Sequence, residues 1–140
     1  SGFLHWGHDI SPEENQYQAG LNFTISYKKP FDFIGKEKLL KISDQKLDRR
    51  FVMLVLEDNT PGKPLLLHEE PIYLDDKIIG KTTSGNFSFN YNKNLSFGYV
   101  NCELSNEKLI DKNLYIEIEK KKYPAELLEK PLKHNNFKNI

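Results

Sequence analysis

The sequence has a single cysteine, Cys102, among its 140 residues. An intramolecular disulfide is therefore impossible, and a reducing compartment is expected because disulfide-stabilised domains belong to oxidising ones. Long apolar runs are also missing, so no segment reaches the length of a transmembrane helix and no membrane partner is expected. The first residues lack the charged and apolar regions of a secretory signal peptide. These absences favour the cytosol or an organelle matrix, without choosing between them.

Net charge is absent as well, because twenty basic and twenty acidic side chains cancel. Such a chain has no global field to attract nucleic acid or an anionic membrane. Its only arginines are Arg49 and Arg50, although arginine is the main residue for bidentate phosphate recognition. Nucleic-acid binding is therefore disfavoured. The arginine pair itself is either a solvated strand start or an anion contact.

Aromatic side chains are the abundant apolar component, with nine Phe, seven Tyr and one Trp. Each of these can bury a large area, which offsets a hydrophobic fraction of only 38%. A chain of this length suffices for one domain around one core. The composition thus predicts a compact soluble domain with a highly charged surface.

The first thirty residues show no clear period, so they predict an irregular segment that ends in a short strand at 21–27. A helix is then predicted at 36–44, because Gly35 precedes a stretch of good helix formers. Leu39, Leu40 and Ile42 could line one face of that helix.

From Arg49 onward the patterns indicate strands. The apolar run FVMLVL predicts a strand buried on both faces. PIYLDDKIIGKTTSG predicts two strands about a turn at 75–77, and SFGYVN predicts a further strand after a polar loop at 86–94. LYIEIEKKKYPAELL alternates on both sides of a lysine-rich turn, with Leu114, Ile116 and Ile118 on one face. Six short strands after one short helix predict a mostly β fold, either a small antiparallel β-barrel or a sandwich.

His5 and His8 form the HxxH motif most open to a metal interpretation. Structural zinc requires four ligands and catalytic zinc three, and the chain offers only two other histidines and one cysteine. We therefore predict no metal site. The simpler interpretation is a loop in which the two histidines make hydrogen bonds and which packs under Trp6.

No motif predicts a nucleophile or a phosphate loop. Ser84 precedes Gly85, but the glycine that a nucleophile elbow needs two residues earlier is missing. The same GKTTSG stretch lacks the upstream glycine and the following helix of a P-loop. Gly85 more plausibly lets a strand bend or bulge. The residues alone therefore predict no complete catalytic set.

Several stretches, taken in order, resemble the aminomethyltransferase (T-protein) family of the glycine cleavage system. They are HWGHDI, AGLNFTI, FDFIGKEKLL, RRFVMLVLED, EEPIYLDDKIIGKTTSG, SFGYV and KKKYPAELLEKP, and together they cover about residues 3–131. FIGKE and GKTTSG in this order are the most specific. HWGHDI is most similar to members fused behind a flavin-dependent dehydrogenase of the dimethylglycine or sarcosine type.

The resemblance implies three subdomains around a channel that holds tetrahydrofolate. Residues 1–30 would be the end of the folate-binding domain and a linker, 31–132 the C-terminal β-barrel, and 133–140 a tail. The chain would then be a fragment of a longer protein, with HWGHDI as an internal loop. Its partners would be the upstream folate-binding domain and, in flavin-fused members, an upstream FAD domain.

The resemblance also implies roles for residues. The family's catalytic aspartate lies upstream, so no catalytic residue is expected in this chain, and the fragment alone should be inactive. Phe23, Trp6 and Arg50 are the folate-binding candidates: two aromatic faces near the pterin and a cation for the carboxylates of the folate tail. The full-length enzyme would transfer a one-carbon unit to tetrahydrofolate, and the barrel would supply a wall of the channel.

Two alternatives remain open. One is a stand-alone β-barrel module for protein interaction, in which Phe23 and Trp6 form an exposed patch. The other is a small metal-dependent hydrolase, which depends on His5 and His8 alone.

Overall fold

A computed structural model of the chain describes residues 2–101, 109 and 113–128. Six antiparallel strands close into a barrel in the order β1-β4-β3-β2-β5-β6. Their bounds are Arg49–Leu56 (β1), Pro71–Leu74 (β2), Lys77–Ser88 (β3), Lys93–Asn101 (β4), Leu114–Ile118 (β5) and Lys121–Leu128 (β6). A 3-10 helix, Asn22–Thr24, and an α-helix, α1 (Lys36–Ser43), precede the barrel. The predicted mostly β barrel is confirmed, as is the irregular N-terminal segment before it.

Strand β1 closes the barrel because it pairs on both sides. It pairs with β4 at Met53↔Phe97 and with β6 at Leu54↔Leu127. Residues 52–56 of this strand are all buried, which confirms the prediction from its unbroken apolar run. The predicted alternation of the first arm of the final hairpin is also confirmed, since Leu114, Ile116 and Ile118 are buried and the residues between them are half-buried. The second arm, β6, does not alternate in burial.

The core lies inside the barrel. It is built from twelve buried side chains: Val52, Leu54, Leu56, Leu66, Ile72, Ile79, Val100, Leu109, Leu114, Ile116, Ile118 and Ala125. Every one of them comes from residue 52 or later, so residues 2–48 lie outside this core. The N-terminal segment must therefore be held in place by other contacts.

The strand predicted at 21–27 is wrong. Thr24 N donates to Leu21 O at 3.0 Å and Ile25 N donates to Asn22 O at 3.1 Å, so the backbone bonds locally as a 3-10 turn. A closed barrel also leaves no free edge for a seventh strand to pair with. The error has its origin in the tertiary structure, because a local sequence pattern cannot show that every strand of the barrel already has a partner on both sides.

The polar loop predicted at 86–94 is shorter than expected, because β3 continues to Ser88 and β4 begins at Lys93. Phe87, which is buried, belongs to the strand. The bend expected at Gly85 occurs earlier, where the register shifts between Thr82 and Ser84. Gly85 has a different role: a Cβ there would lie 2.5 Å from Leu66 Cβ, so glycine lets Leu66 pack against the strand.

The helix predicted at 36–44 is confirmed with an end one residue earlier, and Gly35 precedes it at φ +89°. Leu39 and Ile42 are half-buried, whereas Leu40 is exposed. Among the described residues, no helix has the length and apolar character needed to cross a bilayer. The tail at 133–140 lies outside the described residues.

Candidate functional site

The loop at residues 5–10, here called the HWGHDI loop, closes on itself through backbone hydrogen bonds. Gly7 N donates to Ile10 O at 2.8 Å, and Asp9 N donates to His5 O at 2.8 Å. Gly7 has a φ of +89°, a left-handed conformation that residues with a Cβ adopt at a cost. The sequence therefore places glycine where the loop reverses direction.

Asp9 joins this loop to the barrel and is only 2% exposed. Its Oδ1 accepts hydrogen bonds from Thr83 Oγ1 at 2.6 Å and Ser84 Oγ at 2.7 Å. Its Oδ2 accepts one from His5 N at 2.8 Å. Its backbone carbonyl accepts a fourth from Tyr99 Oη at 2.9 Å. Sequence reasoning missed this residue, and the only signal was three adjacent hydroxyl side chains within a strand.

Tyr99 connects the same region to the charged residues beside it. Burial raises the pKa of Tyr99 to about 12, and the carboxylates of Glu14 and Asp9 also raise it, while Arg49 lowers it. Arg49 Nη2 forms an ion pair with Glu14 Oε1 at 2.9 Å, and its guanidinium lies 5.4 Å from the Tyr99 ring centroid. Arg49 is thus engaged in holding the N-terminal segment against β1 and β4.

Gln18 provides another attachment of the N-terminal segment. Its Nε2 donates to Asp48 Oδ1 at 2.7 Å, and its backbone carbonyl accepts from Phe51 N at 2.8 Å. The hydrogen bond from Gln18 lowers the pKa of the Asp48 carboxyl below its usual range. Segment and barrel are therefore joined by hydrogen bonds at two separate places.

The two histidines of the HxxH motif stack on each other, with ring centroids 4.6 Å apart and an interplanar angle of 12°. His68 lies nearby, 6.4 Å from His8 between centroids. Within the described part of the chain, no three His, Cys, Asp or Glu side chains are placed to hold a metal ion. The stacked rings therefore give no support to a metal-dependent hydrolase.

The predicted folate-binding candidates divide into two groups. Trp6 is 64% exposed and Phe23 is 79% exposed, so both present open aromatic faces. Arg50 is half-buried on β1, where it pairs with Val100 of β4. The two aromatics thus belong to the surface of the N-terminal segment, whereas Arg50 belongs to the barrel wall.

Three shallow grooves lie elsewhere on the surface. One lies at the start of α1 beside Phe33, one on the β3–β4 face beside Phe87, and one at the rim near Ile78. None of these three is lined by Trp6, Phe23 or Arg50. The three candidates therefore do not line any of these grooves.

The fold and site together define a small closed β-barrel domain that carries an exposed aromatic segment. The family described as "Glycine cleavage T-protein C-terminal barrel domain" matches residues 49–133. The chain therefore belongs to this family, and the resemblance found in its sequence motifs is confirmed.

Relatives that are similar over at least 90% of this chain include both kinds of protein that the motifs indicated. Dimethylglycine dehydrogenase, mitochondrial, from Rattus norvegicus is 36% identical over 93% of this chain, which spans 14% of that protein. 4-Methylaminobutanoate oxidase (formaldehyde-forming) from Paenarthrobacter nicotinovorans is 33% identical over 93% of the chain and 15% of that protein. Aminomethyltransferase from Listeria innocua is 32% identical over 90% of the chain and 33% of that protein.

A solved structure shares the fold. Glycine cleavage system aminomethyltransferase T from Bartonella henselae superposes with a TM-score of 0.74 and 21% identity, over 90% of this chain and 34% of that one. The chain thus spans between about a seventh and a third of the proteins it matches.

Proposed function

We propose that this chain is the C-terminal part of a longer folate-dependent enzyme, in which it forms one wall of a tetrahydrofolate channel. The enzyme would be of the dimethylglycine or sarcosine dehydrogenase type or a plain aminomethyltransferase. The observation that carries the proposal is the exposed apolar surface of the N-terminal segment. The exposed large apolar side chains of this segment are Phe3, Trp6, Phe23, Phe31 and Ile34, each at least 64% exposed.

These are five large apolar side chains within 32 residues. Burial of their exposed apolar surface would be favourable by roughly 25 cal/mol per Å², so leaving that surface in water is costly. Large exposed apolar patches on a folded domain mark interaction surfaces or ligand grooves. The same segment contributes nothing to the barrel core. Its apolar side chains are therefore available to a neighbouring domain and to a ligand held between the two.

The candidate residues fit the chemical parts of tetrahydrofolate. Trp6 and Phe23 offer flat faces to a pterin ring. The charge of Arg50, whose Nε and Nη2 are buried in the barrel wall, would attract the carboxylates of the folate tail. Tetrahydrofolate, when bound, would accept the one-carbon unit at its N5 or N10 nitrogen. The role of this chain is to position the folate and to exclude water. Its contribution to the reaction rate is therefore the orientation of the reactants. We infer that the chain has no catalytic residue and is inactive alone.

The remaining partners follow from the same proposal. The upstream folate-binding domain covers the apolar surface, and in the dehydrogenase type a further upstream domain binds FAD. The dimethylglycine dehydrogenase relatives are mitochondrial proteins. We propose the mitochondrial matrix or the bacterial cytoplasm for this protein.

The test is a titration with tetrahydrofolate of the 140-residue chain and of the longer native protein. Trp6 is the only tryptophan in the chain, so its fluorescence reports directly on this surface. The chain alone should bind weakly because one wall of a channel cannot bury the pterin. Tight, saturable quenching of the isolated chain would contradict that expectation.

In the longer protein, Phe23→Ala should raise the folate dissociation constant about tenfold, as expected for loss of one stacked aromatic face. Phe89→Ala is the matched control, because Phe89 is 85% exposed but lies at the β3–β4 connection. Equal effects of the two variants would refute a specific role for Phe23.

The mass of the native gene product separates this proposal from the stand-alone module. A species several times heavier than 16.4 kDa supports the enzyme. A native product of this same size would instead support a β-barrel module whose exposed aromatics bind another protein.

A further inference from the structure

The position of the HWGHDI loop poses a physical problem. His5, Trp6, Gly7 and His8 are all exposed, so little apolar burial holds the loop on the barrel. We infer that Asp9 is a positioning residue, which sets the location of the Trp6 indole through hydrogen bonds to β3 and β4. That its purpose is folate binding rests on the function proposed above, whereas the positioning itself does not.

The Asp9 carboxylate has the contacts that such a role requires. A buried carboxylate is costly unless hydrogen bonds replace the water that it loses. Here one oxygen accepts from the hydroxyls of Thr83 and Ser84, and the other accepts from His5 N. Because hydrogen bonds to a charged acceptor are the stronger ones, this group is the dominant attachment of the loop.

The same residue determines where Trp6 can lie. The backbone bonds from Asp9 N to His5 O and from Gly7 N to Ile10 O enclose Trp6 in a short closed loop. The Tyr99 hydroxyl holds the Asp9 carbonyl from β4, while Thr83 and Ser84 hold its side chain from β3. A loop this short, attached to two strands at its end, has little freedom to move its tryptophan.

Two features of the barrel adapt it to this attachment. The register of β3 shifts between Thr82 and Ser84, so the irregular residue Thr83 and its neighbour Ser84 can both reach the same carboxylate oxygen. None of Asp9, Thr83 and Ser84 belongs to the hydrophobic core. Loss of the attachment should therefore release the loop without unfolding the barrel.

The experiment removes the attachment from either side, in the full 140-residue chain and without ligand. Asp9→Ala deletes the acceptor, and the double variant Thr83→Val with Ser84→Ala deletes the two donors while it keeps the side-chain shapes close. In both, hydrogen exchange at the amides of residues 7 and 9 should quicken about tenfold to a hundredfold. Trp6 fluorescence anisotropy should fall, and the amides of β1 and β4 should keep their protection.

Asp76→Ala and Ser88→Ala are the controls, because they remove a carboxylate that is bonded to Lys122 and a hydroxyl at the end of β3, neither of which has a hydrogen bond to the loop among the described residues. Neither should change exchange at residues 7 and 9 or the anisotropy of Trp6. If the Asp9 or Thr83/Ser84 variants lowered only the melting temperature and left both loop signals unchanged, Asp9 would have a purely structural role. That result would overturn the inference.

A folate titration of the longer protein then tests the purpose separately. Asp9→Ala should weaken tetrahydrofolate binding by about the same factor as Trp6→Ala, and the double variant Asp9→Ala/Trp6→Ala should weaken it little further. If the loop is released but folate affinity is unchanged, the positioning by Asp9 stands and the folate role of Trp6 is refuted.

Discussion

Asn94 offers the sharpest test of how the structure holds its loops. Its side chain is only 1% exposed, and its Nδ2 donates to three backbone carbonyls of the loop after β1. The acceptors are Asp58 O at 2.8 Å, Thr60 O at 3.2 Å and Lys63 O at 3.2 Å. Three carbonyl oxygens thus converge on one amide group, whose two hydrogens are shared among them.

The perturbation is Asn94→Asp, which keeps the shape but replaces the donor by a carboxylate that faces those three oxygens. The loss of the donors and the burial of an unpaired charge together should lower the free energy of unfolding by about 3–5 kcal/mol at neutral pH. For a chain of this size that corresponds to a fall in Tm of roughly 10 °C. Asn90→Asp is the control, because Asn90 is exposed in the adjoining turn.

The destabilisation should depend on pH with a defined sign. Burial among carbonyl oxygens raises the pKa of the new carboxyl in the folded state above its unfolded value of about 3.9. A group of this kind favours folding at low pH, and that contribution is lost as pH rises through the folded-state pKa. The deficit relative to wild type should therefore be smaller at pH 5 than at pH 7.5.

Urea unfolding followed by far-UV circular dichroism at the two pH values measures the effect. The reasoning would be refuted if Asn94→Asp lay within about 1 kcal/mol of Asn90→Asp at pH 7.5. A larger deficit at pH 5 than at pH 7.5 would equally refute it.

Three further predictions concern the barrel. Ile72→Ala should cost about 2–5 kcal/mol because the side chain is 0% exposed, whereas Ile78→Ala, at 55% exposed, should cost under about 1 kcal/mol; equal losses in urea unfolding would contradict the assigned core. Gly98→Ala should destabilise by more than about 2 kcal/mol, since its Cβ would lie 2.5 Å from Lys81 O, and an unchanged Tm would show that the strands can separate. Tyr99 should ionise near pH 12, measured as the difference between the alkaline spectrophotometric titrations of the wild type and Tyr99→Phe, and its contribution to stability, complete below pH about 10, should be lost as pH rises through about 12; a difference centred near pH 10 would contradict its burial.

Much of the fold could be predicted from local patterns. The unbroken apolar run of β1 predicted burial on both faces, and the alternation of β5 predicted burial on one face, because side chains in strands alternate between faces. The helix at Lys36–Ser43 follows from its helix-forming residues after Gly35. The family could be identified from the order of short motifs, which the match over residues 49–133 confirms.

Errors arose where the outcome depended on residues far away in the chain. The strand predicted at 21–27 is a 3-10 turn because closure of the barrel leaves no edge to pair with. The loop predicted at 86–94 is strand at both ends, because β3 continues to Ser88 and β4 begins at Lys93. Phe87 is buried, but its polar neighbours in the sequence indicated a loop. Folate contacts of Trp6, Phe23 and Arg50 stay predictions, as do the domain boundaries near residues 30 and 132.

The sequence by itself determined the class of fold and the family, because hydrophobic periodicity and motif order are properties of neighbouring residues. Only the tertiary structure decided the role of Asp9, whose partners Thr83 and Tyr99 lie 74 and 90 residues away. In the sequence it is one of twenty acidic side chains. A buried carboxylate is recognised by the donors that replace its water, and folding alone brings those donors to it.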